Sequence, residues 1–251
     1  MRPVTLITGA SSGLGAEFAR QCARRGEEVL LVARREARLA ELAREIGDRA
    51  HYLCADLSVA EAPEALMREA AARGLHVSTL INNAGFGLAG RFVSLPLDRQ
   101  REMIDLNVRA LVALTHLVLP AMIVRKQGAI LNVASTAAFQ PGPGFGVYFA
   151  SKAFVLSFSE ALHQELKRTG VKVSALCPGP TRTEFGEVAG VTSGNFNRFA
   201  ADAPSVVATG LKGLDRNKAV VVPGLTNKVT AQSNRIVPRA LMRRIVNAIK
   251  L

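Results

Sequence analysis

Tyr148 and Lys152 stand four residues apart in the run Val147-Tyr148-Phe149-Ala150-Ser151-Lys152. The apolar positions that follow, Phe154, Val155, Phe158, Ala161, Leu162 and Leu166, recur at helical spacing, so phenol and ammonium project from one helix face, a turn apart. A phenol beside an ammonium is a tuned acid. At a separation of about 5 Å and an effective dielectric of about 20, the lysine charge favours the phenolate by roughly 3 kcal/mol, or roughly two pK units. The tyrosine pKa is then expected to fall from about 10 toward about 8, where it trades protons near neutral pH.

A second group lies at the start of the chain. Val4 to Thr8 reads as a short strand and Ala16, Phe18, Ala19 and Cys22 as the helix after it, with Thr8-Gly9-Ala10-Ser11-Ser12-Gly13-Leu14-Gly15 between them. In that setting Gly9 permits the tight turn, Gly13 lets the backbone approach a pyrophosphate, and Gly15 allows close packing of helix on strand. The helix N-terminus then faces an anion. The second strand ends in Val32-Ala33-Arg34-Arg35, without the acidic residue that would bond a ribose 2′-hydroxyl. Guanidinium forks bind a 2′-phosphate, so NADP(H) is expected over NAD(H), with Arg34 the stronger candidate and Arg35 beside it.

The elements that must hold these groups alternate. Strands are expected at Glu28 to Ala33, Ala50 to Ala55, Ser78 to Asn82, Ala129 to Ala134 and Lys172 to Cys177, with helices between them, including one long pattern from Asp98 to Arg125. Such alternation implies βαβ units and a parallel α/β sheet with helices on both faces. Gly9, Asp56, Asn83 and Ser135 fall at strand carboxyl ends, where sheets of this kind bind ligands. No linker or repeat interrupts the chain, so residues 1–251 are expected to form a single domain. Within it, about 185–215 reads as a lid region, because its first part lacks a clear period and is long for a connector.

Composition excludes several classes. The 251 residues are 49% hydrophobic and 21% charged, which fits a globular chain rather than a disordered or fibrous one. No uninterrupted apolar run reaches the 18 or so residues of a membrane span, and no signal peptide is apparent. Cys22, Cys54 and Cys177 lie far apart in apolar segments, which suits a reducing, cytoplasmic compartment, and four histidines without ligand spacing argue against a metal site. The net charge of +12 is concentrated at the end: residues 216–251 hold eight basic residues and no acid, leaving 24 basic against 20 acidic residues over 1–215. Nucleic-acid binding loses force, since that basic segment contains no aromatic residue.

With the glycine turn, Asn82-Asn83-Ala84-Gly85, Ser135, Tyr148 and Lys152 in this order, the chain resembles the short-chain dehydrogenase/reductase family over roughly residues 3 to 185. The resemblance implies a Rossmann-type doubly wound sheet in a three-layer α/β/α arrangement, and hydride transfer between NADP(H) and a carbonyl or alcohol. It implies a catalytic set of Asn107, Ser135, Tyr148 and Lys152. It implies a cofactor site built from the loop with Gly9, Ser11, Ser12, Gly13, Leu14 and Gly15, the pair Asp56-Leu57, Asn83, Ala84 and Gly85, and the loop with Pro178, Gly179, Thr181 and Thr183. In this scheme Ser135 holds the reacting oxygen, Lys152 bonds the nicotinamide ribose, and Asn107 orders a water that reconnects Lys152 to solvent protons. The long Asn107 helix and the Tyr148 helix pair subunits in such proteins, so a homodimer or homotetramer is expected.

Phe86, Phe139, Phe145, Phe185, Phe196 and Phe199 are candidate pocket walls and favour an apolar substrate: a ketone, an aldehyde, a steroid-like carbonyl or a 3-oxoacyl group. In the tail, Val237, Leu241, Ile245 and Ile249 recur at helical spacing among Arg239, Arg243, Arg244 and Lys250. That helix suits either packing on its own domain or another subunit, or docking on an anionic membrane or an acidic partner. A non-catalytic NADP(H) sensor of the same fold is the rival reading; an intact proton donor argues against it.

Overall fold

A computed structural model describes residues 1–191, 200–233 and 237–248. Among the described residues the strands β1 (Arg2–Thr8), β2 (Val29–Ala33), β3 (Ala50–Cys54), β4 (Leu75–Asn82), β5 (Gly128–Val133), β6 (Val171–Leu176) and β7 (Val220–Val221) form one sheet in the order β3-β2-β1-β4-β5-β6-β7. Every pairing is parallel. Parallel strands need crossover helices, and those helices cover both faces, which is why all five residues of β2 are buried rather than every second one.

The period of two divides the core. Ile7, Val29 and Leu31 pack with Phe18 and Cys22 of α1 (Gly13–Arg24), Leu39 and Leu42 of α2 (Glu36–Ile46), and Val207 and Leu211 of a later helix. Leu6, Leu30 and Val32 face the other way, against Leu66 of α3 (Ala62–Ala72) and Leu114 and Met122 of the long central helix. The strand order reverses direction between β1 and β4, so the loops after these two strands part there and open a crevice.

The long pattern from Asp98 to Arg125 is one helical rod in three pieces: α4 (Leu97–Ile104), a π-turn over Asp105–Arg109, and α5 (Ala110–Arg125). Leu97–Arg125 has the length and average apolarity of a membrane span, although it holds no uninterrupted apolar run of that length. Thr115, His116 and Pro120 break up any continuous apolar run, yet the average still passes; Leu111, Leu114, Val118 and Met122 are buried against the sheet and its neighbouring helices.

The chain continues through α6 (Gly146–Glu165), α7 (Phe185–Ala189), α8 (Ala203–Asp215), α9 (Leu225–Ser233) and α10 (Arg239–Ala248). The segment expected as a lid therefore contains α7 and α8. Asp202 starts α8 by accepting a hydrogen bond from Ser205 N at 2.8 Å. Phe196 and Phe199 lie outside the described residues. In the tail the expected stripe is displaced. Leu241 and Ile245 are exposed, Met242 and Val246 are buried, and Ile249 lies outside the described residues. Met242 and Val246 occupy the adjoining edge of the same apolar arc, and that edge meets the body.

Candidate active site

At the carboxyl edge of the sheet, the glycine turn after β1 is tied to the end of β4. Thr8 Oγ1 accepts from Asn83 N (3.0 Å) and Ala84 N (2.9 Å), while Asn83 Nδ2 donates to Thr8 O (2.9 Å) and Gly9 O (3.3 Å). The Asn83 side chain thus braces the turn. Gly15 has no substitute, because a Cβ there would lie 2.1 Å from Gly9 O; Gly13, at φ +53°, lies under Thr183. Ser12 caps α1 without a side-chain bond to its first turn, so those N–H groups are left for another acceptor.

Beneath the site runs a buried polar ladder. Asn82 Nδ2 donates to Asn132 Oδ1 (2.9 Å) and to Thr115 Oγ1 (3.2 Å), and Asn132 Nδ2 donates to Ser159 Oγ (2.9 Å). Joining β4, β5 and α6, it fixes the helix that carries Tyr148 and Lys152 against the strand that leads to Ser135. Asn107, 1% exposed, sits in the π-turn. Its Oδ1 accepts from Phe86 N (3.1 Å), and its Nδ2 donates to Phe86 O (3.0 Å) and Ser151 Oγ (3.1 Å). A π-turn opens the helix by one residue, and here the buried amide supplies partners across the gap.

Tyr148 and Lys152 do share one face of α6, and both are buried, at 9% and 5% exposure. The ammonium lies 5.9 Å from the phenol ring centre and donates to Val133 O at 2.8 Å. The expected lowering of the phenol pKa is not what the structure gives. Burial pushes Tyr148 up to about 12, opposed by a hydrogen bond with Ser135, and burial pulls Lys152 down to about 8. Burial dominates the shift of the phenol, because the sequence argument assumed a solvated pair and this one is buried. The phenol is therefore a loaded proton donor, and the ammonium keeps its charge at neutral pH.

Both groups line a cavity of about 610 Å³. It runs from Tyr148, Lys152 and Ser135 past Asn83, Ala84 and Gly85 to Gly9, Ser11, Ser12, Gly13 and Leu14. Arg34, Arg35, Asp56, Leu57, Pro178, Gly179, Thr181 and Thr183 also line it; Gly15 packs behind the turn, and Asn107 behind Gly85. Arg34 points to Glu102 (3.0 Å) and Asp56 (3.7 Å). It is Arg35 that reaches the glycine turn, from Nη2 to Ser12 Oγ at 2.7 Å and to Ser11 Oγ at 3.1 Å, with Nη1 on Glu184 Oε2 at 2.9 Å. A glycine cradle, an open helix start and guanidinia at one end fit a dinucleotide with an added phosphate.

At the other end Phe86, Phe145 and Phe185 form walls as expected, the Phe185 ring standing 5.2 Å from that of Tyr148. Phe139 does not line the cavity; it packs against the cluster containing Ala138 and Val155. Sequence reasoning missed Asn227, Thr230 and Val246, which close the cleft from α9 and α10, and Val188 beside α7's Phe185. The fixed φ of Pro223 and the left-handed Gly224 mark the turn that starts this return, but no local pattern indicates where it lands.

Fold and cleft together define a nucleotide-binding α/β protein of Rossmann type. The chain belongs to the short chain dehydrogenase family, whose model matches residues 3–191. It is 42% identical over 189 residues to sulfoacetaldehyde reductase 2 of Chromohalobacter salexigens, covering 74% of this chain and 75% of that protein. It is 36% identical over 187 residues to the NADP-dependent 3-hydroxy acid dehydrogenase YdfG of Escherichia coli (strain K12), covering 74% and 75%. A short-chain dehydrogenase from Sphingobium yanoikuyae, solved in complex with NADPH, superposes with a TM-score of 0.83 at 36% identity, covering 96% of this chain and 95% of that one.

Proposed function

We propose that this chain is an NADP(H)-dependent oxidoreductase that moves hydride between the nicotinamide and a neutral apolar carbonyl or secondary alcohol: a ketone, an aldehyde, a steroid-like carbonyl or a 3-oxoacyl group. One observation carries the reading: a buried phenol, an ammonium and a serine hydroxyl meet on one cavity whose far end is a glycine cradle flanked by arginines. Bound there, NADPH supplies hydride to the carbonyl carbon. Tyr148 gives its phenolic proton to the carbonyl oxygen as charge develops on it, and Ser135 steadies that oxygen by a hydrogen bond. Lys152 stabilises the phenolate left behind and bonds the nicotinamide ribose. Asn107 grips the Phe86 backbone and Ser151, holding the floor under Lys152 where a water returns protons from solvent.

The cations lining the cavity among the described residues are Lys152, Arg34 and Arg35, the arginines at the cofactor end. Among the described residues no guanidinium lines the cavity beside Phe86, Phe145 and Phe185, since Arg99, which stacks on the Phe86 ring at 4.9 Å, is not part of the lining; this supports a neutral substrate in spite of the relatives' names. Loss of NADPH absorbance is the test, with neutral ketones, steroid ketones, aldehydes and 3-oxoacyl thioesters run against sulfoacetaldehyde and 3-oxo acids, and NADH as control. Turnover confined to the anionic compounds would refute the apolar assignment. For partners, the exposed Ile104, Ile123, Val124 and Phe154 on α4, α5 and α6 support a homodimer or homotetramer. The outward Leu241 and Ile245 beside Arg243 and Arg244 support contact of the tail with an anionic surface. Reduced free cysteines support a cytoplasmic setting.

A further inference from the structure

We propose that Glu184 is a specificity-determining residue: its carboxylate occupies the Arg35 guanidinium across the mouth of the cleft and competes with a cofactor 2′-phosphate for it. The inference rests on the NADP(H) reading above and adds a residue to it. Arg35 follows β2 and Glu184 precedes α7, so the two come from opposite lips of the cleft, and both line the cavity. Their ion pair is 2.9 Å long and leaves every nitrogen of the Arg35 guanidinium with a partner, Nη1 on Glu184, Nε on Ser11 and Nη2 on both Ser11 and Ser12. A guanidinium binds phosphate through the paired N–H groups on one edge, and Glu184 already holds one of them.

The neighbouring groups do not relieve the competition. Arg34 is drawn to Glu102, which Arg99 also contacts, and to Asp56. Arg34 and Arg35 are therefore each matched by a carboxylate before any phosphate arrives. Chiefly the hydrogen bond from Arg35, helped by Ser12 and by the charges of Arg35 and Arg38, holds the Glu184 carboxyl below its usual range, so it is anionic at neutral pH. A phosphate settling on Arg35 must displace that carboxylate or stand beside it, and either one weakens binding. NADH, with a 2′-hydroxyl in place of the phosphate, has no call on Arg35 and escapes the penalty. The Arg35 and Glu184 side chains are 47% and 38% exposed, so the competition is screened and its size modest.

The test is Glu184→Gln, which keeps the shape and removes the charge. Kd is measured by titration for NADPH, NADH, adenosine 2′,5′-bisphosphate and 5′-AMP, at low and at 0.5 M salt. We expect NADPH and the bisphosphate to bind about fivefold tighter than to the wild type, as an exposed ion pair allows, with NADH and 5′-AMP unchanged and the gain reduced at high salt. In an Arg35→Ala background the same substitution should change nothing. Unchanged or weaker NADPH binding in a wild-type background that prefers NADPH would overturn the proposal, and so would an equal gain for NADH. If the wild type binds the bisphosphate no better than 5′-AMP, the NADP(H) reading itself has failed and the proposal falls with it.

Discussion

The two ends of the cleft handle charge in opposite ways. Around Tyr148 and Lys152 the side chains are buried, the ammonium's hydrogen bond goes to a backbone carbonyl, and burial is the largest cause of both pKa shifts. Around Arg34 and Arg35 the side chains are half exposed, and each guanidinium is matched by carboxylates from other elements. One end stores a proton by desolvation. The other holds a balanced set of ions that a ligand must rearrange. Substitutions in the dry end should change rates, and substitutions in the wet end should change affinities and depend on salt.

The largest expected effect breaks the dry end. Tyr148→Phe removes the phenolic proton and should lower turnover by roughly 10²- to 10⁴-fold, with NADPH affinity nearly intact by fluorescence titration. A variant that kept a tenth of its activity would show that the phenol is not the acid. The second effect is a pH limb. Lys152 is lowered from 10.5 to about 8, so it is charged below that pH and neutral above it. Carbonyl reduction should therefore fall as pH rises through about 8, by about tenfold per unit once the limb is reached. Tyr148, pushed up to about 12, stays protonated across that range and adds no limb of its own. Lys152→Met should remove the inflection; persistence of the same limb would assign it to another group.

The third effect belongs to the wet end. Arg35→Ala should weaken NADPH by about tenfold with NADH unchanged, as loss of a charge-assisted phosphate contact does, whereas Arg34→Ala should cost less. The sequence favours Arg34; the structure sets both arginines on the cavity and brings Arg35 to the glycine turn. The partners that hold the Arg35 guanidinium at the glycine turn, Ser12 and Glu184, are residues far away in the chain.

The same reason separates what could be read from what could not. The glycine turn, the parallel sheet and the Tyr148 and Lys152 face follow from local spacing, which the backbone obeys almost regardless of context. The π-turn at Asn107 does not, because the opening depends on partners supplied by Phe86 and Ser151. β7 is two residues long, too short to carry a pattern. The return of Asn227 and Val246 over the cleft is a tertiary event. Spacing predicts the wrong sign for the tyrosine pKa shift because it reports the distance to a charge and not the burial around it.

Salt gives the smallest and most discriminating prediction. Raising ionic strength from about 0.05 to 0.5 M shortens the screening length from above 10 Å to below 5 Å. The exposed arginines should then lose part of their hold on a 2′-phosphate, and Kd for NADPH should rise a few-fold while that for NADH stays flat. Lys152, being dry, is scarcely reached by the ions, so the limb near pH 8 should keep its position. Titrations of both cofactors and a pH profile at the two salt concentrations measure all of this on the wild-type protein. A limb that moved with salt while NADPH affinity held would mean that the lysine is the solvated group and the arginines the shielded ones, the reverse of the arrangement described.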